Sequence, residues 1–88
     1  MCTWISTHRD IKASGKGAEG WFPVTRANVG YDHPFHVSLN HAVLLDFINP
    51  SMDVSKRVAV EMNVDSAKAL VEVLQEAIAA AEASGVAE

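Results

Sequence analysis

Residues 57–84 read RVAVEMNVDSAKALVEVLQEAIAAAEAS, and the spacing of the apolar side chains changes within this stretch. In its first part Val58, Val60 and Met62 alternate with other residues, which is the two-residue period of a β-strand. Beyond Asp65 the apolar residues recur at intervals of three and four, which is the period of an amphipathic helix. The stretch therefore predicts a strand followed at once by a helix, and it indicates an α+β domain.

The predicted helix covers residues 65–84. Asp65 or Ser66 is expected to cap its N-terminus, and Gly85 is expected to end it. Its apolar side carries Ala67, Leu70, Val71, Leu74, Ala77, Ile78 and Ala81. Its polar side carries Lys68, Glu72, Gln75, Glu76 and Glu82. The sequence therefore predicts a C-terminal amphipathic helix packed on one face of a sheet.

Segments rich in β-branched and aromatic residues predict three more strands before the helix. Together with the strand already described they cover residues 2–12, 21–31, 37–48 and 57–63. Segment 14–20 contains three glycines and is predicted to be a loop, and segment 49–53 is predicted to be a turn. The expected domain is a single unit over 1–88 with the order β-β-β-β-α and a mainly antiparallel four-stranded sheet.

The third predicted strand is apolar on both of its faces around Leu44 and Leu45. Such a strand is typical of a sheet that is covered on two sides, yet the chain supplies one helix. We therefore expect a homodimer or a higher homo-oligomer that buries the second face or an edge of the sheet. The alternative is that residues 12–35 fold back over the sheet and cover it within one chain.

Composition excludes several classes of protein. The 88 residues are 49% hydrophobic and carry a net charge of −4, with seven Lys and Arg residues that are scattered along the chain. Nucleic acid is therefore not an expected partner. No apolar run has the ~18 residues that span a bilayer, so no membrane partner is expected either. The single cysteine rules out a disulfide within the chain and favours the cytoplasm.

Three histidines, His33, His36 and His41, lie within nine positions of the sequence. A turn could direct their imidazoles at one ion, and Cys2 or Asp32 could complete the ligand set. This pattern predicts a site for one transition metal ion, with Zn, Fe or Cu as candidates. Two alternatives stay open: the histidines serve the structure alone, or they transfer protons without a metal.

Other side chains suggest contacts to a small molecule. Trp21, Tyr31 and Asp46 are the candidate ligand-binding residues. Asp46 lies within an apolar strand, where a buried carboxylate needs a partner. Arg57 or Arg26 could pair with it, or it could orient one of the histidines. Tyr31 could donate a proton to a ligand or could simply pack within the sheet.

Cys2 admits three roles, namely metal ligand, nucleophile or inert thiol. A neighbouring imidazolium would favour its thiolate form, but His8 lies about 20 Å farther along the same extended strand. A phosphate site at the glycine-rich segment is not supported, because that segment joins two strands and lacks the P-loop pattern.

Several strings resemble those of a family of small bacterial proteins of unknown function. They are Met1 to Thr3 (MCT), 14–23 (SGKGAEGWFP), 31–36 (YDHPFH), His41 with Asp46 and Phe47, and 57–61 (RVAVE). The resemblance extends over nearly the whole chain. It implies a compact bacterial domain, and it implies no activity and no functional residue.

Two hypotheses of function follow from the residues. The first is a protein that binds a transition metal through the histidine cluster. In its stronger form, this hypothesis makes the protein an enzyme that acts on a small molecule. The second is a non-catalytic interaction or assembly protein that uses an apolar sheet face. Stoichiometric metal would support the first, whereas an assembly that survives chelation would support the second.

Overall fold

The computed structural model describes residues 5–86, in which a four-stranded antiparallel sheet precedes one helix. The elements are β1 (Ile5–Gly17), β2 (Gly20–Asp32), β3 (Ala42–Ile48), β4 (Arg57–Met62) and α1 (Val64–Ser84). The strand order is β1-β2-β3-β4, so each strand pairs with its neighbours in the sequence. The predicted α+β fold with the order β-β-β-β-α is confirmed.

β1 and β2 form a long hairpin, and its turn is shorter than the predicted loop over 14–20. Gly17 pairs with Gly20, which leaves only Ala18 and Glu19 in the turn. Gly20 has a φ of 110°, a conformation that L-residues with a Cβ rarely adopt. The glycines therefore allow a tight two-residue turn, and the strands continue through residues that the sequence alone assigns to a loop.

The hairpin is irregular in its middle and bends there. The pairing shifts between Asp10 and Ala13, where β1 holds one residue more than β2. Such a bulge increases the twist of a hairpin. Beyond it, a Cβ placed on Gly15 would lie 3.0 Å from Val24 Cγ2 and 3.4 Å from Val58 Cγ2. The tip of the hairpin thus approaches β4, although β1 and β4 lie at opposite edges of the sheet.

The buried apolar core of the described residues is small. Ala42 is buried at the start of β3, opposite Asp32, whereas Phe22 and Val24 are buried in the tip half of the hairpin, near this approach. Asn49 is buried beside them, and its Nδ2 donates a hydrogen bond to the Pro23 carbonyl oxygen at 2.9 Å. Most of segment 12–35 forms strands of the sheet itself, and contact between β1 and β4 shows that the hairpin tip curls toward the opposite edge.

The pairing register gives the sheet one apolar and one mixed, largely polar face. One face carries the rows Ile5–Tyr31–Val43–Met62, Thr7–Val29–Leu45–Val60 and Arg9–Ala27–Phe47–Val58. The other carries the rows Ser6–Gly30–Leu44–Glu61, His8–Asn28–Asp46–Ala59 and Asp10–Arg26–Ile48–Arg57. We call these the apolar face and the polar face.

β3 begins at Ala42, whereas the sequence places the third strand from residue 37. Residues 33–41, which we call the histidine segment, form no regular structure. The backbone N–H groups of residues 35–37 donate to the carboxylate of Glu61 instead of to a neighbouring strand. This side-chain acceptor is the physical reason why the strand starts later than the apolar pattern indicates.

The helix starts one residue earlier than predicted and stops where predicted. Asn63, not Asp65 or Ser66, is the N-cap, and its Oδ1 accepts a hydrogen bond from the Ser66 N–H at 2.8 Å. Gly85 follows the helix with a φ of 73°, and its N–H donates to the Glu82 carbonyl oxygen at 3.3 Å. Asn63 takes the cap because it keeps the extended conformation of β4.

The sequence predicts that the helix packs along one face of the sheet, but in the structure it does not. Within α1, all of which the structure describes, no residue is buried, and Ala67 alone is half-buried. The main contact of α1 is with β3. A single residue joins β4 to α1, and the helix then leaves the sheet with its apolar side uncovered by the other residues of 5–86. We call it the helical arm.

Among residues 5–86, no helix has both the length and the apolar character needed to cross a membrane.

Candidate functional site

The histidine segment links β2 to β3 and carries His33, His36 and His41. Two hydrogen-bond contacts hold its ends in place. At its start the His33 N–H donates to Asp32 Oδ1 at 2.7 Å, and the His33 Nδ1 lies 2.8 Å from the carbonyl oxygen of Asn40. The second contact closes the segment into a loop whose two ends lie side by side.

Closure of this loop brings two of the three histidines together. The ring centroids of His33 and His41 are 4.6 Å apart, with 30° between the ring planes. On its other side the His41 ring stacks on Tyr31, with centroids 5.5 Å apart and 24° between the planes. Tyr31, His41 and His33 therefore form a short aromatic stack at the end of β2.

The middle of the segment is held by Glu61, the second-to-last residue of β4. Its carboxylate accepts hydrogen bonds from three successive backbone N–H groups: Phe35 at 2.6 Å, His36 at 2.8 Å and Val37 at 3.0 Å. These bonds, the one from Phe35 first, lower the pKa of Glu61 below its usual range, although desolvation opposes them. A carboxylate with three amide donors is a strong anchor for a loop.

The arrangement brings His33 and His41 together but does not gather the whole predicted ligand set. Within residues 5–86, no group of three or more His, Cys, Asp or Glu residues is placed to hold a metal ion. Asp32 accepts from the His33 backbone, and the backbone of His36 is bound to Glu61. Cys2, the other predicted ligand, lies outside the described residues.

The predicted small-molecule contacts are separated in the structure. Trp21 is exposed at the tip of the first hairpin, opposite Lys16. Tyr31 lies ten residues farther along β2, about 30 Å away in an extended strand, and belongs to the aromatic stack. Asp46 is on β3, on the polar face of the sheet.

Asp46 has an arginine partner, one of the options that its place in an apolar strand predicts. Arg57 Nε donates to Asp46 Oδ1 at 3.1 Å, and Arg57 Nη2 donates to Oδ2 at 2.9 Å. Arg26, the other arginine considered, lies 3.5 Å from Asp10 instead. The Asp46 carboxylate is thus engaged in a two-point ion pair between β3 and β4.

A groove of about 250 Å³ lies on the polar face beneath the histidine segment. Residues lining it include Asn28, Phe35, Leu44, Asp46, Arg57 and Glu61. Phe35 projects from the segment and is 87% exposed. The two carboxylates of the groove are already occupied, Asp46 by Arg57 and Glu61 by backbone amides, so the groove offers mainly apolar contact.

The helical arm exposes large apolar side chains. Leu74 is 52% exposed and Ile78 is 54% exposed, although both belong to the apolar side that the sequence places in the core. Val64, Leu70, Val71 and Val73 are exposed along the same helix. The sequence shows this apolar side directly but contains no signal that says whether its own sheet or another chain covers it.

Comparisons with known proteins identify a family but no individual related protein. No curated protein and no solved structure gave a significant match. A family model matches residues 1–87, and its description is a family of unknown function. The predicted resemblance is therefore confirmed, and the chain belongs to that family, DUF6295.

Proposed function

We propose that this chain is an assembly domain that forms a homo-oligomer through its helical arm. The observation that carries the proposal is the uncovered apolar side of α1, with Leu74 and Ile78 more than half exposed. Fully burying one such side chain contributes roughly 1.5–3 kcal/mol. A helix that exposes a row of them leaves a large stabilisation unused.

The stability of the arm itself supports the same proposal. Most helices in proteins are stable because an amphipathic face packs against other elements, and isolated helices are marginal in water. α1 has 21 residues, and beyond Ala67 all of its residues are exposed. Packing against another copy would supply the tertiary contact that this helix lacks among the described residues 5–86.

The total surface of the chain also supports association. The accessible surface is 6715 Å² for a mass of 9.5 kDa. A compact monomer of that mass exposes about 5,000 Å², so the excess is roughly 1,700 Å². A standard interface buries about 800 Å² on each partner. The excess is therefore enough for a stable dimer.

The dimensions of the chain agree with this excess. The radius of gyration is 14.5 Å and the molecule extends over 45 × 32 × 20 Å. A compact chain of this length has a radius of gyration of about 12 Å. On the apolar face, Val29 and Val60 are exposed as well, which adds apolar surface beside the arm.

The experiment compares Ile78→Glu with a matched control, Ala69→Glu. Both variants add one glutamate to exposed positions of the same helix, but the two positions are about 180° apart around it at ~100° per residue. Sedimentation velocity should show an oligomer for the wild type and for Ala69→Glu, and a monomer for Ile78→Glu. Circular dichroism should show that the sheet is retained in all three proteins.

A monomeric wild type at micromolar concentration would contradict the proposal. Equal sedimentation of Ile78→Glu and Ala69→Glu would contradict the role of the arm, because a buried unpaired charge on the apolar side must weaken the interface. Both results are read directly from the measured mass of the particle.

A metal site is the second candidate, and the proximity of the His33 and His41 rings favours it. The test is elemental analysis of untagged protein that has been purified without chelator. The wild type should contain about one equivalent of Zn, Fe or Cu per chain or per dimer. The double variant His33→Ala/His41→Ala should lose this metal. The control variant His8→Ala should keep it, because His8 lies on β1, outside the histidine segment. A wild type that is folded and free of metal would exclude this site.

A further inference from the structure

We infer that two copies of this chain join by pairing their helical arms in an antiparallel orientation. The inference rests on the proposed assembly function and adds the partner surface and its geometry to it. It is drawn from the spacing of apolar residues in α1, from their sizes, and from the position of the sheet at one end of the arm.

The apolar side of α1 follows a seven-residue repeat over its whole length. Two positions of the repeat are apolar throughout, and they are spaced alternately by three and four residues. The first position is occupied by Val64, Val71 and Ile78. The second is occupied by Ala67, Leu74 and Ala81. A repeat of this kind places a continuous seam toward a second helix and is the pattern of paired helices.

The sizes of these residues favour the antiparallel orientation. When two such helices run in opposite directions, a first-position residue of one faces a second-position residue of the other. Three layers then form, each of them twice: Val64 with Ala81, Ala67 with Ile78, and Val71 with Leu74. Large residues face small ones in two of the three layers, and this combination fills the seam evenly.

A parallel pair in register would pack less evenly. Ala67 would face its own copy, and Ala81 would do the same, while Ile78 and Leu74 would each face an equally large side chain. Pairs of small residues between larger layers leave cavities, and each cavity reduces stability. The sequence of the arm therefore fits a partner of opposite direction better than one of the same direction.

The location of the sheet also favours the antiparallel orientation. The arm leaves the sheet at its N-terminus through Asn63, and its half-buried residue, Ala67, is also near that end. Parallel arms would bring two sheets to the same end, whereas antiparallel arms place them about 30 Å apart at 1.5 Å per residue. Antiparallel arms also set the positive N-terminal end of one helix beside the negative C-terminal end of the other.

Charges beside the seam are complementary in this orientation. Lys68 and Glu82 occupy the same flanking position of the repeat, near opposite ends of the arm, with Gln75 between them. In antiparallel pairs this flank faces the equivalent flank of the partner. Lys68 of one copy therefore lies at the end where Glu82 of the second copy lies.

Disulfide cross-linking of the ends tests the orientation. In a Cys2→Ser background, Val64→Cys and Ala81→Cys are prepared separately, equilibrated alone or as a 1:1 mixture, and oxidised. Disulfides need Cα atoms about 4.4–6.8 Å apart. In the mixture, up to about half of the chains should cross-link, because random pairing of the two variants places half of the chains in mixed dimers. Each variant alone should stay uncross-linked, because its cysteines lie at opposite ends of the pair.

The outcomes separate this inference from the proposed function. Cross-linking of each variant alone, with only about half as much in the mixture, would overturn the antiparallel orientation and leave the arm as the interface. A dimer by sedimentation that cross-links in neither case would show that the arm is bound elsewhere, for example by the apolar face of the second copy, and would overturn arm pairing. A monomer by sedimentation would overturn the inference together with the proposed function.

Discussion

At the scale of single residues, Glu61 has the most specific role that the structure shows. Its one carboxylate accepts the N–H groups of Phe35, His36 and Val37, which lie about 25 positions earlier in the chain. The aromatic stack orients the ends of the histidine segment, and Glu61 orients its middle. The conformation in which the histidines are presented therefore depends on a residue of β4.

Glu61→Gln should release residues 35–37 while leaving the sheet intact. A neutral amide offers one acceptor oxygen in place of two charged ones, so the three bonds cannot all be kept. We expect faster hydrogen exchange at the amides of Phe35, His36 and Val37. Glu76→Gln on α1 is the matched control and should leave these amides unchanged. Equal exchange in both variants would refute the anchoring role.

The anchor should also depend on pH, in a direction set by the lowered pKa of Glu61. A carboxyl group whose pKa is lower in the folded state contributes stability that is fully present above its unfolded pKa, about 4.3. That contribution is lost as the pH falls through the lowered value. Amide shifts of residues 35–37 followed by NMR should therefore change at a midpoint below that of an ordinary glutamate. A midpoint at or above it would contradict the bonding described.

The sequence predicts some of these residue contacts and misses others for a clear reason. Asp46 within an apolar strand requires a partner, and Arg57 is one of two arginines that could reach it. Glu61 stands out only as a carboxylate, because its partners are backbone amides, which every residue has. Contacts of that kind leave no pattern in side-chain chemistry, so the structure is needed to find them.

At the scale of elements, the first hairpin depends on Gly20. Its φ of 110° is strained for any residue with a Cβ, at a cost of order 1–3 kcal/mol. Gly20→Ala should therefore lower the denaturation midpoint by an amount equivalent to about 1 kcal/mol or more at fixed protein concentration, without a change in m-value. Ala18→Ser, in the same turn, should change stability by less than about 0.5 kcal/mol. An unchanged midpoint in Gly20→Ala would disprove the turn geometry.

The start of the helical arm depends on its cap. Asn63→Ala removes the acceptor for the Ser66 N–H, and the loss of such a cap costs about 1 kcal/mol. Far-UV circular dichroism should show an arm that melts earlier, and Asn63→Asp should restore most of the loss. If the alanine and aspartate variants melt alike, the cap has no energetic role.

Element types follow from periodicity, whereas element ends follow from local bonds. The alternation over 57–62 and the three- and four-residue spacing beyond it give the β4–α1 unit correctly. The ends differ wherever one glycine or one side-chain acceptor decides. Gly20 lets the hairpin strands extend farther toward the turn, and Glu61 makes β3 begin later. Asn63 caps the helix, although Asp65 and Ser66 are equally suitable cap residues by type.

At the scale of the whole molecule, association should appear as concentration-dependent stability. In a dimer held together by the arms, unfolding releases two chains, so the melting temperature rises with protein concentration. We expect this rise for the wild type and for Ala69→Glu over a hundredfold range. Ile78→Glu should melt at a temperature independent of concentration. A wild type that behaves like Ile78→Glu would contradict the assembly function.

The sequence indicates a surplus of apolar surface but not its location. Strand three, apolar on both faces, predicts an uncovered sheet face, and the structure places much of the surplus on the helix instead. The hairpin bulge between Asp10 and Ala13 helps to explain the difference, because it turns the hairpin tip toward β4. The direction in which a bulged hairpin turns is not encoded in the period of its side chains.

The strand order β1-β2-β3-β4 has a consequence for how the chain acquires its structure. Every pairing joins strands that are consecutive in the sequence, so each loop to be closed is short and the sheet can form early and quickly. The arm, by contrast, is completed in the proposed dimer only when a second copy arrives. On this proposal, a newly synthesised chain first has a complete sheet and a helix with its apolar side exposed to water. The cellular concentration of the protein then sets how long the chain stays in this unpaired state.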